Sequence, residues 1–317
     1  MKKVLVTTKL LKSNEERISK LWNVKLNLNG KIYSETELID LSKDCDAILS
    51  SILDRIDKKI INKLSSKVKI ISNFAVGFGN IDIEEAKKKN IIVTNTPNVL
   101  TDATADIAML LILGASRRVV EGMKWAKNKN WKWSADFLIG KQLSGSKLGI
   151  LGMGRIGRAV AKRAKAFGME IHYHNRSRLS QELEAGATYH GSIKSLFSDI
   201  DVLSINCPAT KETEKIINKE TLNFFSKNVV ITNSARGDMI DDDAMIQALK
   251  DNKIFALGLD VYNGEPNIHP GYLQYPNVFI LPHLGSATEK TRNDMANLAI
   301  DNIDEFFKTG KCSNKVN

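Results

Sequence analysis

The chain has 317 residues, 43% of them hydrophobic and 26% charged, an ordinary globular balance and a length that suits two domains. Its formal net charge of +10 comes mainly from lysines spread along the chain, with no basic block or reading module, which argues against a nucleic-acid partner. No stretch is long and apolar enough to span a membrane, and Cys45, Cys207 and Cys312 lack metal-like spacing, which points to a reducing cytoplasm.

The opening Met1-Lys2-Lys3-Val4-Leu5-Val6-Thr7-Thr8 is too briefly apolar for a signal peptide and reads as a first strand, residues 4–7. Further strands are expected at 47–50, 69–72 and 91–94, with helical patterns at 56–64 and 83–89. Alternation of this kind implies a parallel sheet. Thr101-Asp102-Ala103-Thr104-Ala105-Asp106 then opens a helix whose acids sit where the dipole favours them. It continues through Ile107-Ala108-Met109-Leu110-Leu111-Ile112-Leu113, apolar on nearly every side, and is expected to be buried between domains.

At 147–151 a short apolar strand breaks into Gly152-Met153-Gly154-Arg155-Ile156-Gly157 and continues as a helix with Val160, Ala164 and Phe167 on one face, stopped by Gly168. Strand, three spaced glycines and helix are the dinucleotide-binding arrangement. The first glycine permits the tight turn, the second lets backbone approach the pyrophosphate, and the third lets helix pack on strand. The next strand, 169–174, ends in Asn175-Arg176-Ser177-Arg178. An acid that would hold the ribose hydroxyls of NAD is missing there. Arg176 can grip a 2′-phosphate and Asn175 and Ser177 can donate to it, so NADP is preferred and NAD remains open.

Strands follow at 202–206, 229–233, 255–260 and 278–281, and the last thirty residues begin with a helical pattern through Met295, Leu298, Ile303 and Phe306. Such a helix can cross back to the first domain. Three ionisable residues follow the ends of late strands: Arg236, Glu265 and His283. Ligands of open parallel sheets bind beyond such ends. A cation, an acid and an imidazole suit hydride transfer to an α-keto acid. His283 would give the proton, Glu265 would fix its tautomer, and Arg236 would bind the carboxylate and polarise the carbonyl.

Taken with Asn233-Ser234-Ala235-Arg236-Gly237, Asp260-Val261-Tyr262-Asn263-Gly264-Glu265-Pro266 and Pro282-His283-Leu284-Gly285-Ser286-Ala287-Thr288, the chain resembles the D-isomer-specific 2-hydroxyacid dehydrogenases, in their glyoxylate/hydroxypyruvate reductase branch. The resemblance runs over essentially the whole length. It implies an α/β fold of two Rossmann-like domains, parallel sheets flanked by helices, with the cofactor in the cleft between them. The substrate-binding domain would be residues 1–100 plus 288–317, and the dinucleotide-binding domain residues 101–287. Arg236, Glu265 and His283 match the catalytic residues. The cofactor would lie against the glycine motif, Cys207, Pro208, Thr213, Ser234, Ala235, Arg236, Asp260, His283 and Gly285, with Asp260 near the nicotinamide amide. Asn73-Phe74-Ala75-Val76-Gly77 resembles a loop whose amides, at Val76 and Gly77, hold the substrate carboxylate beside Arg236 and His283. The resemblance also implies a homodimer joined through the nucleotide domains, with Trp131-Lys132-Trp133 on an arm that reaches the partner's active site. The alternative reading of the arm is a cover over its own domain.

Other activities stay open: phosphoglycerate or D-lactate oxidation within the family, or a non-catalytic NAD(H)-sensing binding protein. Asp241-Asp242-Asp243 reads as the charged first turn of a helix and not as a metal site. His172 and His174 alternate on one strand without a third ligand nearby in sequence, and His190 and His269 have no evident partner, so no metal is expected.

Overall fold

The computed structural model describes residues 1–128, 131–226 and 228–317, and contacts divide the chain into two units, Met1–Leu100 with Ala287–Asn317, and Thr101–Ser286. The first unit alternates strand and helix from its start: β1 (Lys3–Val6), α1 (Lys12–Leu21), β2 (Asn23–Lys25), α2 (Glu35–Ser42), β3 (Ala47–Ser51) and α3 (Lys58–Lys63). It continues with β4 (Ile70–Phe74), α4 (Ile83–Lys88) and β5 (Ile92–Thr94).

The second unit opens with α5 (Thr101–Ser116), α6 (Val119–Lys127), β6 (Lys147–Leu151) and α7 (Arg155–Ala166). Next come β7 (Glu170–His174), α8 (Gln181–Glu184), β8 (Thr188–Tyr189), α9 (Ile193–Ser198) and β9 (Val202–Ile205). It closes with β10 (Val229–Asn233), α10 (Asp242–Lys250), β11 (Ile254–Leu259) and β12 (Val278–Ile280). The final helix, α11 (Glu289–Thr309), returns to the first unit, where Ser72 Oγ donates to Ala299 O at 2.9 Å.

Both sheets are parallel. The first has the order β2-β1-β3-β4-β5 and the second β12-β11-β10-β9-β6-β7-β8. In the second sheet the chain leaves β6 toward β7 and β8, then returns to β9 on β6's other side. A crevice therefore opens beyond the carboxyl ends of β6 and β9, the switch point where such sheets bind ligands. Strands buried on both faces explain the apolar runs: every residue of β10 is buried.

Sequence and structure part at several points. The reading missed β2 at the sheet edge, with Asn23 exposed, and the polar helices α1 and α2, although Ser34 and Glu37 form a reciprocal capping box at the start of α2. Phe167 is not on the buried face of α7. It is the C-cap, 44% exposed, while Val160 and Ala164 are fully buried. Helix α5 buries Leu111 and Ile112 against its own unit but leaves Leu110 42% exposed, so it is not enclosed on every side. Its acids have a partner: Arg163 of α7 binds Asp102 at 3.0 Å and Asp106 at 2.7 Å. Asp241 caps α10 through the Ala244 N–H, the charged first turn the sequence suggests.

Candidate active site

The glycine turn leaves β6 at the switch point. Gly152 has φ +96°, and a Cβ there would lie 2.4 Å from the Cys207 nitrogen, so the turn is pressed against the loop after β9. At Gly157 an added Cβ would meet Gly152 O at 2.3 Å, the close approach of α7 to its strand. Gly154, the N-cap of α7, has open space at its Cβ position and no side chain capping the helix. An uncapped helix start facing open space at a switch point is what a pyrophosphate needs, because first-turn N–H groups lack intrahelical acceptors. The residues present thus fit a dinucleotide.

Around this turn the structure assigns work to several residues. Asn175 Oδ1 accepts the Met153 N–H at 2.7 Å, so this side chain braces the glycine loop. Arg176 and Ser177 are exposed. Arg178 is tied down by Glu184, at 2.8 and 3.1 Å, which leaves Arg176 as the cation of this loop available to an anion. Thr213 Oγ1 accepts from the Thr210 N–H and donates to Pro208 O, both at 2.8 Å, and so builds the loop that follows Cys207. Burial pushes the Cys207 thiol up to about 11.

The ends of β10, β11 and β12 converge on Arg236, Glu265 and His283. Asn233 closes β10 with both ends of its amide, accepting from Ala235 N–H (2.9 Å) and donating to Arg236 O (2.7 Å). Ser234, Ala235 and Arg236 are half-buried, and Arg236 Nη1 donates to Ala235 O at 2.6 Å. Burial pulls the guanidinium down, against the charges of Glu265 and Asp238. Gly237 is a tight contact: a Cβ would lie 1.9 Å from the Tyr262 carbonyl carbon, so only glycine lets the β10 loop lie on the β11 loop.

Glu265, before a cis bond to Pro266, accepts the Tyr262 N–H at Oε1 (2.9 Å) and meets His283 Nδ1 at Oε2 (2.6 Å). Burial works against its ionisation. The His283 bond and charge, the Tyr262 N–H and Arg236 outweigh this and hold the carboxyl below its ordinary range. The backbone of His283 has φ +54°, rare for a residue with a side chain. Asp260, 1% exposed, holds it there by accepting the next two N–H groups, Leu284 at 2.6 Å and Gly285 at 2.8 Å. Tyr262 Oη donates to Leu281 O at 2.7 Å, just before, and Thr104 donates to Gly285 O at 3.0 Å, just after. Burial raises the Asp260 carboxyl, offset in part by those N–H groups and the His283 charge.

In the first unit, the loop after β4 is shaped by asparagines. Asn95 Nδ2 donates to Val76 O (2.8 Å) and Asn73 Nδ2 to Gly77 O (3.0 Å). Among the described residues the N–H groups of Val76 and Gly77 have no acceptor. Elsewhere Trp131 stacks on Phe137 of its own unit, ring centroids 6.3 Å apart, yet stays 49% exposed, and Trp133 is 80% exposed.

Comparison with known proteins gives the family. The family described as "D-isomer specific 2-hydroxyacid dehydrogenase, NAD binding domain" matches residues 109–285, more than half of the chain. The chain belongs to the D-isomer-specific 2-hydroxyacid dehydrogenases. A glyoxylate reductase of Thermococcus litoralis is 39% identical, over 99% of this chain and 96% of that relative. A glycerate dehydrogenase of Hyphomicrobium methylovorum is 38% identical, over 96% of both. The solved structure of an NADPH-dependent glyoxylate/hydroxypyruvate reductase from Sinorhizobium meliloti, with NADP and malonate, superposes with a TM-score of 0.89 at 31% identity, covering 99% of this chain and 96% of that one. As a member of this family the chain is a nicotinamide-dependent dehydrogenase of two parallel-sheet α/β units flanked by helices.

Reasoning from sequence alone missed Asn233, Gly237, Tyr262 and the second use of Asp260. An asparagine ending a strand before a turn is a readable signal. The hold of Asp260 on two N–H groups 24 and 25 residues later left no local trace.

Proposed function

We propose that this dehydrogenase reduces glyoxylate and hydroxypyruvate to their 2-hydroxy acids, preferring NADPH. The observation that carries this is the 2.6 Å His283–Glu265 pair beside Arg236, at the ends of three neighbouring strands. The names and cofactor of the relatives described above support it.

When bound, the reduced nicotinamide supplies the hydride to the carbonyl carbon. The chain's residues do the rest. Glu265 engages Nδ1 of His283, fixes the ring and leaves Nε2 to give its proton to the carbonyl oxygen. Arg236 pairs with the substrate carboxylate and draws charge onto the carbonyl oxygen. Arg176, unpaired with Glu184, grips the 2′-phosphate, with Ser177 and the Asn175 Nδ2 as further donors. The glycine motif, Cys207, Pro208, Thr213, Ser234, Ala235, Asp260 and Gly285 line the cofactor.

The protein is further proposed to act as a cytoplasmic homodimer. Helix α6 has no buried residue, and Met123, Trp125, Trp131, Trp133 and Ile139 are exposed near it, an aromatic patch of the kind that interfaces cover. Among the described residues no helix is long and apolar enough to cross a membrane. A panel of glyoxylate, hydroxypyruvate, pyruvate and phosphohydroxypyruvate with NADPH and NADH tests the proposal. Turnover only with pyruvate or phosphohydroxypyruvate would replace the proposed substrates.

A further inference from the structure

The sequence pairs His172 with His174; the structure pairs His172 with His190. His172 lies in β7, His190 follows β8, and their rings meet at Nδ1 and Nε2, 2.9 Å apart. Asp199, the C-cap of α9, completes the group, with Oδ2 at 3.4 Å from His172 Nδ1 and 3.9 Å from His190 Nε2. His174 contributes differently, its Nδ1 bonding the His190 carbonyl at 2.8 Å.

We propose that His172, His190 and Asp199 form a binding site for a borderline divalent metal ion of the zinc class. The site is separate from the cofactor turn and staples β7, the β8 loop and α9 together.

The argument is geometric first. A tetrahedral ion with bonds of about 2.0–2.2 Å sets its ligand atoms about 3.3–3.5 Å apart. The three separations here bracket that edge, and a point equidistant from the three atoms lies about 2.0 Å from each. An ion at bonding distance from all three therefore needs no large rearrangement. Two imidazoles and one carboxylate suit zinc more than magnesium or calcium, which take oxygen ligands.

Surrounding groups prepare the donors. His190 Nδ1 lies 2.9 Å from Ser195 Oγ, an outer partner that leaves Nε2 as the ligating atom. Lys147 Nζ binds Asp199 Oδ1 at 2.6 Å and so turns Oδ2 toward the rings. Burial holds both histidines below their ordinary range, which favours the neutral, ligating form. An entry path exists, since the histidine side chains are 8% exposed and that of Asp199 is 42% exposed. Lys147 begins β6 and Gly152 follows its end, so the site and the cofactor turn belong to opposite ends of one strand. In the metal-free chain one ring N–H bridges the two histidines. Binding the ion requires that proton to shift to the other nitrogen of its own ring, so two neutral histidines and a carboxylate take the ion without net proton release.

The test uses the full chain without an affinity tag, stripped of metal by a chelator that is then removed. Zinc is titrated by calorimetry and cobalt by its visible absorption. The proposal predicts one saturable equivalent per chain. Asp199→Asn, on a half-exposed side chain, should lose that equivalent and keep its metal-free melting curve. Ser195→Ala should weaken binding about 10- to 100-fold through the loss of an outer partner. No saturable uptake, or the same uptake in Asp199→Asn and His190→Ala, would overturn the site.

Discussion

Asp260 and His283, 23 residues apart in sequence, are locked together: the Asp260 carboxyl takes the N–H groups of Leu284 and Gly285 at 2.6 and 2.8 Å, and the His283 backbone is held at φ +54°. The unusual backbone turns the imidazole to Glu265. Strain of this kind persists only where the surroundings over-determine it. Asp260→Ala removes both acceptor oxygens, and hydrogen bonds to a charged group contribute about 1.5–3 kcal/mol each. Its expected effect is a loss of about 3–6 kcal/mol in chemical denaturation together with a fall in kcat. A variant as stable and active as the parent would show that the bonds are incidental.

His283→Ala should lower kcat by roughly a hundred- to ten-thousand-fold, the usual contribution of general acid catalysis. Cofactor affinity, followed by fluorescence titration, should change far less. Near-normal turnover would remove His283 from the mechanism.

Arg176→Asp should shift the ratio of kcat/KM for NADPH over NADH toward NADH by about 10- to 100-fold, the worth of one or two charge-assisted bonds. Arg178→Ala should leave that ratio nearly alone, because Arg178 is committed to Glu184. The reverse pattern would reassign the phosphate to Arg178.

Gly237→Ala places a methyl group 1.9 Å from the Tyr262 carbonyl carbon, and backbone cannot yield as a side-chain tip does. Overpacking of this kind costs about 1–3 kcal/mol or more. The Arg236 and Glu265 loops must move apart, so activity should fall with stability. A variant with parental kinetics and melting temperature would contradict the contact.

Glu265 gives a pH signature. Its folded carboxyl lies below the ordinary value of 4.5, so its stabilisation is fully present above that pH and is lost as pH falls through the lower folded value. The stability difference between the parent and Glu265→Gln, measured by urea denaturation, should therefore be constant near neutrality and shrink below about pH 4.5. A difference that grows with acidification would reverse the sign.

Much of this was legible in the chain itself. The glycine turn announced the switch point because apolar strand, spaced glycines and helix are local features. Arg236, Glu265 and His283 were legible because each follows a strand end. Legibility failed where partners are distant: Asp260 with Gly285, Gly237 with Tyr262, and His172 with His190 and Asp199. Period-two alternation put His172 and His174 together, whereas parallel pairing across β7 and β8 chose His190. Phe167 was misplaced because a helix ends in a C-cap that no longer follows the helical face.

Central to the account is keto-acid reduction with His283 as the proton donor. Loss of the reduced-nicotinamide absorbance, followed with glyoxylate and NADPH for the parent and His283→Ala side by side, tests it most directly. The account predicts rapid glyoxylate-dependent oxidation by the parent and a loss of at least about a hundredfold in the variant. Cofactor binding without turnover of any keto acid in the panel would contradict it and favour a nucleotide-sensing role.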